Sequence, residues 1–169
     1  MATDRDWADA FLAQATEDLT AAQAAFDADV PSTFCMLMQM VFEKLAKAAF
    51  ARAGAPAPQR HQVAARLIAV LRRTPGSAAI MIGGPHSLHA VEELENANPS
   101  VVADAVRRCL ATQYPQLEYP WLNAATNQVE WPGKHLPIAR RVADPEDPVA
   151  ANLLKSARAF VKHFDTLFP

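Results

Sequence analysis

Between Phe34 and Phe42 the chain presents one polar side chain, Gln39, in a segment reading FCMLMQMVF. A helix of that composition is apolar on every side, so other elements must cover it all round. In a chain of 169 residues this places the helix at the centre of the domain or in a subunit interface. Gln39 then needs a hydrogen-bond partner, because a buried amide left unsatisfied costs about 1–3 kcal/mol. Beyond Phe42 the pattern turns polar, and Glu43 and Lys47 are spaced for an i,i+4 pair on an exposed face.

The rest of the chain supplies helices to do the covering. Five glycines in an alanine-rich sequence favour helix almost throughout. Thr3 or Asp4 caps a first helix to about Ala28, with Leu12, Ala15, Leu19, Ala22 and Phe26 as its apolar stripe and Trp7 and Phe11 beside it. Pro31 suits the first turn of the central helix, which runs to about Ala53 before Gly54. A third helix covers about 62–73, turning Ala64, Leu67, Ile68 and Leu71 inward. Ser87 caps a short helix to about Asn96, Pro99 opens another through Cys109, and Asp147-Pro148 opens the last. In that last helix Val149, Leu153, Ala157, Phe160, Phe164 and Leu167 make one stripe to the C-terminus.

From about residue 113 to 147 the helical period disappears among Pro115, Pro120, Pro132, Pro137 and Pro145. Tyr114, Tyr119, Trp121 and Trp131 argue against plain disorder there. The expectation is an ordered crossing loop that packs its tryptophans on the bundle, with a short hairpin near Gly133. The fold class is therefore all-α: an antiparallel bundle of four to five helices, one domain over 1–169, with a long aromatic and proline-rich loop before the last helix.

Composition excludes several classes. A net charge of −2 excludes a chain that is basic overall, though not a local basic patch. Two cysteines, Cys35 and Cys109, make neither a disulfide framework nor a metal knuckle, and both sit in apolar helical patterns that predict buried thiols. The opening MATDRDWADA has acids and no apolar core, and no apolar run is long enough to span a bilayer, so the expectation is a soluble, cytoplasmic protein.

Three local patterns together resemble the HEPN family of small prokaryotic helical domains. One is Ala15 and Asp18-Leu19 followed by Ala21-Ala22. Another is Phe34-Cys35 leading to Gln39 and then Glu43-Lys44-Leu45-Ala46-Lys47-Ala48. The third is His61, after a proline-bearing loop and just before a helix. Tyr114-Pro115 also resembles a segment of some members, but Gln113 stands where they often carry arginine. The resemblance implies a helical bundle that commonly pairs as a homodimer. It also implies a part in a prokaryotic toxin–antitoxin or defence-type system, often beside a nucleotidyltransferase-type partner protein. Some members bind nucleotide, RNA or a partner without catalysis. Others are ribonucleases that carry arginine followed after four to six residues by histidine and act without a metal or other cofactor.

One pair meets that spacing, Arg158 and His163. Histidine can move a proton off the ribose 2′-hydroxyl or onto the leaving oxygen, and arginine can hold the phosphate with two parallel hydrogen bonds. The competing reading is a solvated helix face. Ala159 departs from the polar residue that active members usually place after the arginine. Five residues turn about 140° on a regular helix, so the two side chains flank the Phe160–Phe164 stripe from opposite sides.

Other constellations carry less. His86, His89 and Glu93 have the i, i+3, i+7 spacing of metal ligands, but a helix capped at Ser87 leaves His86 outside it. Arg72-Arg73, Arg107-Arg108 and Arg140-Arg141 make a basic patch only if the fold brings them together. The binding-module reading leads and the metal-independent ribonuclease is the alternative. The apolar stretch adds an expectation about assembly: a homodimer with Phe34–Phe42 at or just beneath its interface. Light scattering at micromolar concentration should give twice the chain mass, and a monomer would contradict it.

Overall fold

The computed structural model describes residues 2–55, 64, 84–97, 117, 120–123 and 125–169. Helix α1 spans Asp4–Asp27 and is opened by a capping box. Thr3 Oγ1 accepts from the Asp6 amide at 3.2 Å, and the Asp6 carboxylate accepts from the Thr3 amide at 2.7 Å. Ala8, Ala15, Leu19, Ala22 and Ala25 are its buried face, while Phe26 is 37% exposed and Trp7 56%. Asp29, at φ 55°, turns the chain into helix α2, Pro31–Arg52, with proline in the first turn as the sequence predicts.

The chain itself encloses α2. Phe34, Cys35, Met38, Val41, Phe42 and Leu45 are buried against α1 and the helices that follow. Met36, Leu37 and Met40 of the apolar stretch are only half-buried, so the chain covers most of the stretch and leaves part of one side accessible. The small residues of α1 let the two long helices run close together, and two ion pairs hold them in register. Lys44 Nζ lies 2.7 Å from Asp18 of α1, and Arg52 bridges Asp9 of α1 and Asp165 near the C-terminus.

Helix α3, Gly84–Asn96, begins earlier than a cap at Ser87 allows, which puts His86 within it. Ala90, Val91 and Leu94 are buried, as is Ala64 of the preceding segment. The segments holding His61, Arg72, Arg73, Arg107, Arg108, Cys109, Gln113, Tyr114 and Pro115 lie outside the described residues.

The stretch before the last long helix is more regular than its lost periodicity predicts. Strands β1, Trp121–Asn123, and β2, Gln128–Glu130, pair antiparallel with Leu122 opposite Val129. The turn is not near Gly133. It runs through Ala125–Asn127, where Asn123 Oδ1 accepts from the Ala125 amide at 2.9 Å and Asn127 takes φ 56°. Glu130 clamps the other end, accepting from Trp121 Nε1 at 3.0 Å and Asn123 Nδ2 at 2.7 Å. Two short helices follow, α4 (Pro132–His135) and α5 (Pro137–Ala143), each with proline in its first turn. Of the two tryptophans expected on the bundle, Trp121 is buried and Trp131 stays 47% exposed.

Helix α6, Val149–Lys162, packs Val149, Ala150, Leu153, Leu154, Ala157 and Phe160 into the core. The stripe does not continue as one helix. The chain breaks at His163 and resumes as α7, Phe164–Leu167, whose Phe164 is again buried. Among the described residues no helix is long and apolar enough to cross a membrane.

Burial sets the expected energetics. Phe160, 1% exposed, anchors α6, so Phe160→Ala should cost about 3–5 kcal/mol in urea denaturation. Thr3→Ala removes only an end cap and should cost about 1 kcal/mol.

Candidate functional site

The candidate pair stands on α6, and the start of that helix is built by charge. Asp147 Oδ1 accepts from the Val149 amide at 2.9 Å, satisfying one of the free donors of the first turn. Arg141 of α5 holds the same carboxylate through Nε at 2.8 Å and reaches Glu93 of α3 with Nη1. The bond to Arg141 lowers the Asp147 pKa, and the same bond raises that of Arg141. Arg140 is exposed and Arg141 is neutralised, so this arginine pair does not act as a patch. The neighbouring cleft, about 520 Å³, is lined by Arg141, Asp144, Glu146, Asp147, Pro148, Val149 and Asn152. Its carboxylates repel phosphate.

The apolar period of α6 turns Ala151, Lys155, Arg158 and Lys162 to solvent. Arg158 Nη2 donates to Gln23 Oε1 of α1, and Gln23 Nε2 in turn donates to Asp27 at 2.7 Å. The guanidinium is therefore held from one side and leaves its other donors outward. Ala159 is buried, 6% exposed, which accounts physically for an apolar residue after the arginine in this chain.

His163 is half-buried and closes α6. Its amide donates to the Ala159 carbonyl at 3.0 Å, and its carbonyl accepts from the Thr166 and Leu167 amides. Backbone angles of φ −108° and ψ 17° take it out of the helix, so the regular turn between Arg158 and His163 does not hold at its last step. Arg52 fixes the segment beyond, bonding Asp165 at 2.8 Å with its guanidinium 5.7 Å from the Phe164 ring centre. Among the described residues no hydrogen bond joins Arg158 to His163. The pair is brought to one end of one helix but is not closed into a site by the described residues.

Of the metal-ligand spacing on α3, His89 and Glu93 have described side chains, and that of His86 lies outside the described residues. His89 is exposed and lies 3.9 Å from Glu92, while Glu93 is committed to Arg141. Among the described residues no cluster of histidine, cysteine and carboxylate suits a metal ion. Cys35 is an enclosed thiol whose pKa is pushed up to about 12, first by burial and then by the charge of Glu93.

A buried polar cluster between α2 and α3 escapes sequence reasoning. Gln39 Nε2 donates to the Leu94 carbonyl at 3.2 Å, the partner its burial demands. Glu43 pairs with Lys47 at 2.6 Å, but the face is not exposed: Glu43 is 3% accessible. Helix spacing shows the pair and cannot show what packs over it. Glu95 of α3 is 4% accessible, and its Oε1 finds no donor among the described residues. Its pKa is raised to about 7, first by burial and then by the carboxylate of Glu43.

An all-α bundle with an amphipathic last long helix, an outward arginine and a histidine at its end defines the class. Within that class the chain belongs to the HEPN domain family, whose model matches residues 8–163. Comparisons with curated proteins and with solved structures returned no match. The family's recognisable positions now have physical roles here: Asp18 and Lys44 pair α1 with α2, and Gln39 ties α2 to α3.

Glu95 generates a pH prediction. Below about pH 4.5 the carboxyl is protonated folded and unfolded alike, so it adds no pH dependence. Between there and about pH 7 the folded chain keeps a proton that the unfolded chain loses, so stability falls as pH rises. Urea denaturation should show a loss of up to about 3 kcal/mol between pH 5 and pH 8. Glu95→Gln, neutral throughout, should flatten that slope; an unchanged slope would contradict the assignment.

Proposed function

We propose that this chain is a non-catalytic RNA-binding module of the HEPN family. The observation that supports it is Arg158: an exposed guanidinium steadied by Gln23, with no carboxylate paired to it among the described residues. Such a group holds phosphate with two parallel hydrogen bonds. The module acts as a homodimer in which the core around Phe34–Phe42 lies beneath the contact. Its setting is a prokaryotic toxin–antitoxin or defence-type system, with a nucleotidyltransferase-type protein as partner, and the phosphate it takes includes that of a nucleotide.

A second reading has its own support. His163 is outside the regular helix and half-exposed, at the family's catalytic spacing from Arg158. As a metal-independent endoribonuclease, Arg158 would hold the scissile phosphate while His163 moves the proton of the 2′-hydroxyl. Binding is favoured because no bond joins the two side chains within the described chain and Ala159 is committed to the core.

End-labelled mixed-sequence RNA, with EDTA present, separates the readings. The expected result is retention without cleavage, weakened about tenfold by Arg158→Ala and little by His163→Ala. Cleavage by wild type and by neither variant would establish the nuclease instead. Failure of the folded wild type to retain RNA would overturn both.

A further inference from the structure

We propose that the solvent face of α6 is a track for the backbone of single-stranded RNA, on which Lys155 and Lys162 hold phosphates on either side of Arg158. The proposal rests on the RNA-binding reading and deepens it by naming residues that neither the family's arginine–histidine spacing nor the chain's overall charge points to.

Lys155, Arg158 and Lys162 are all exposed, at i, i+3 and i+7 of one helix. On an α-helix those positions fall within about 60° of one another and span about 10 Å along the axis. They form one straight row, the footprint of one strand. A duplex presents two backbones across a groove and calls for a second row.

Among the described residues the cations at helix contacts are neutralised: Lys44 by Asp18, Lys47 by Glu43, Arg52 by Asp165, and Arg141 by Glu93 and Asp147. The three on α6 have no carboxylate partner among those residues. From Pro148 to Phe164 the sequence contains no Asp or Glu. The helix macrodipole accounts for a cation in the last turn, where Lys162 sits, but not for Lys155 or Arg158 further back. The acids lie elsewhere: α1 carries Asp4, Asp6, Asp9, Glu17, Asp18 and Asp27 against one arginine, and the cleft beside Asp147 is acidic too. Among the described residues, α6 therefore carries a row of three cations without a carboxylate partner, on a helix that has no acid of its own.

Residue chemistry fits a backbone rather than base edges. Lysine is a flexible, hydrated point charge that follows a phosphate without reading sequence, and the arginine between the two lysines supplies the fixed fork.

Fluorescence anisotropy of a labelled oligouridylate, followed from 25 to 200 mM salt, tests the track. Three phosphate contacts predict a slope of log K against log salt of about −2 for a single strand. Lys155→Gln and Lys162→Gln should each make the slope shallower by about 0.7, and the double variant should leave about −0.7. Lys134→Gln, at an exposed lysine of α4, should leave it unchanged. All three substituted positions are exposed, and circular dichroism checks that the folds match. Binding by wild type with a slope that Lys155→Gln and Lys162→Gln do not alter would overturn the track while the RNA-binding reading stands. No binding by wild type, including capture of only an acidic protein, would overturn both.

Discussion

The enclosure of α2 is the constraint from which the rest of the structure follows. A helix apolar on every side has no stable place at a surface, so the other elements must surround it. Alanine in α1 makes that feasible: Ala8, Ala15, Ala22 and Ala25 bring two long helices close without large side chains between them. The polar groups carried inside then decide how the layers meet. Gln39 needs a buried acceptor and finds the Leu94 carbonyl, which sets α3 across α2. Lys44 needs an anion and finds Asp18, which sets α1 along it. These bonds add little net energy, but leaving any of their groups buried and unpaired is costly, so they favour one arrangement over its neighbours.

The last long helix inherits its role from that arrangement. Packing Leu153, Ala157 and Phe160 against the core turns Ala151, Lys155, Arg158 and Lys162 outward, three of them cationic. The break at His163 is held from beyond by Arg52, which ties Asp165 to the end of α2. The chemistry proposed for α6 thus depends on the same central helix that organises the core. One region stands at odds with economy: Glu95, a carboxyl with one oxygen unpartnered among the described residues and a second buried carboxylate nearby. Its raised pKa predicts an α2–α3 contact that weakens as pH rises towards neutrality.

Much of this was legible from residue order. The helix starts at Thr3 and Pro31 follow from capping and proline chemistry, and the burial of Gln39 follows from its eight apolar neighbours. The family positions were recognisable before their contacts were known. Three features were not legible, for physical reasons. Period shows that Glu43 and Lys47 share a face, but only tertiary packing shows that the face is covered. The hairpin and short helices between residues 121 and 143 carry too few residues for any period, although Pro132 and Pro137 mark first turns. The helix break came at a histidine without glycine or proline to announce it, and the basic strip emerged only once the buried side of α6 was known.

The most direct test of the central claim, that α6 is the RNA-facing surface, is a two-dimensional NMR titration of the labelled protein with a single-stranded oligouridylate. The account predicts progressive shifts concentrated at residues 155 to 163 and at Gln23, with the buried cluster of Gln39, Glu43 and Glu95 unmoved. Shifts centred instead on the exposed Trp131 and the adjoining hairpin, with α6 silent, would contradict it.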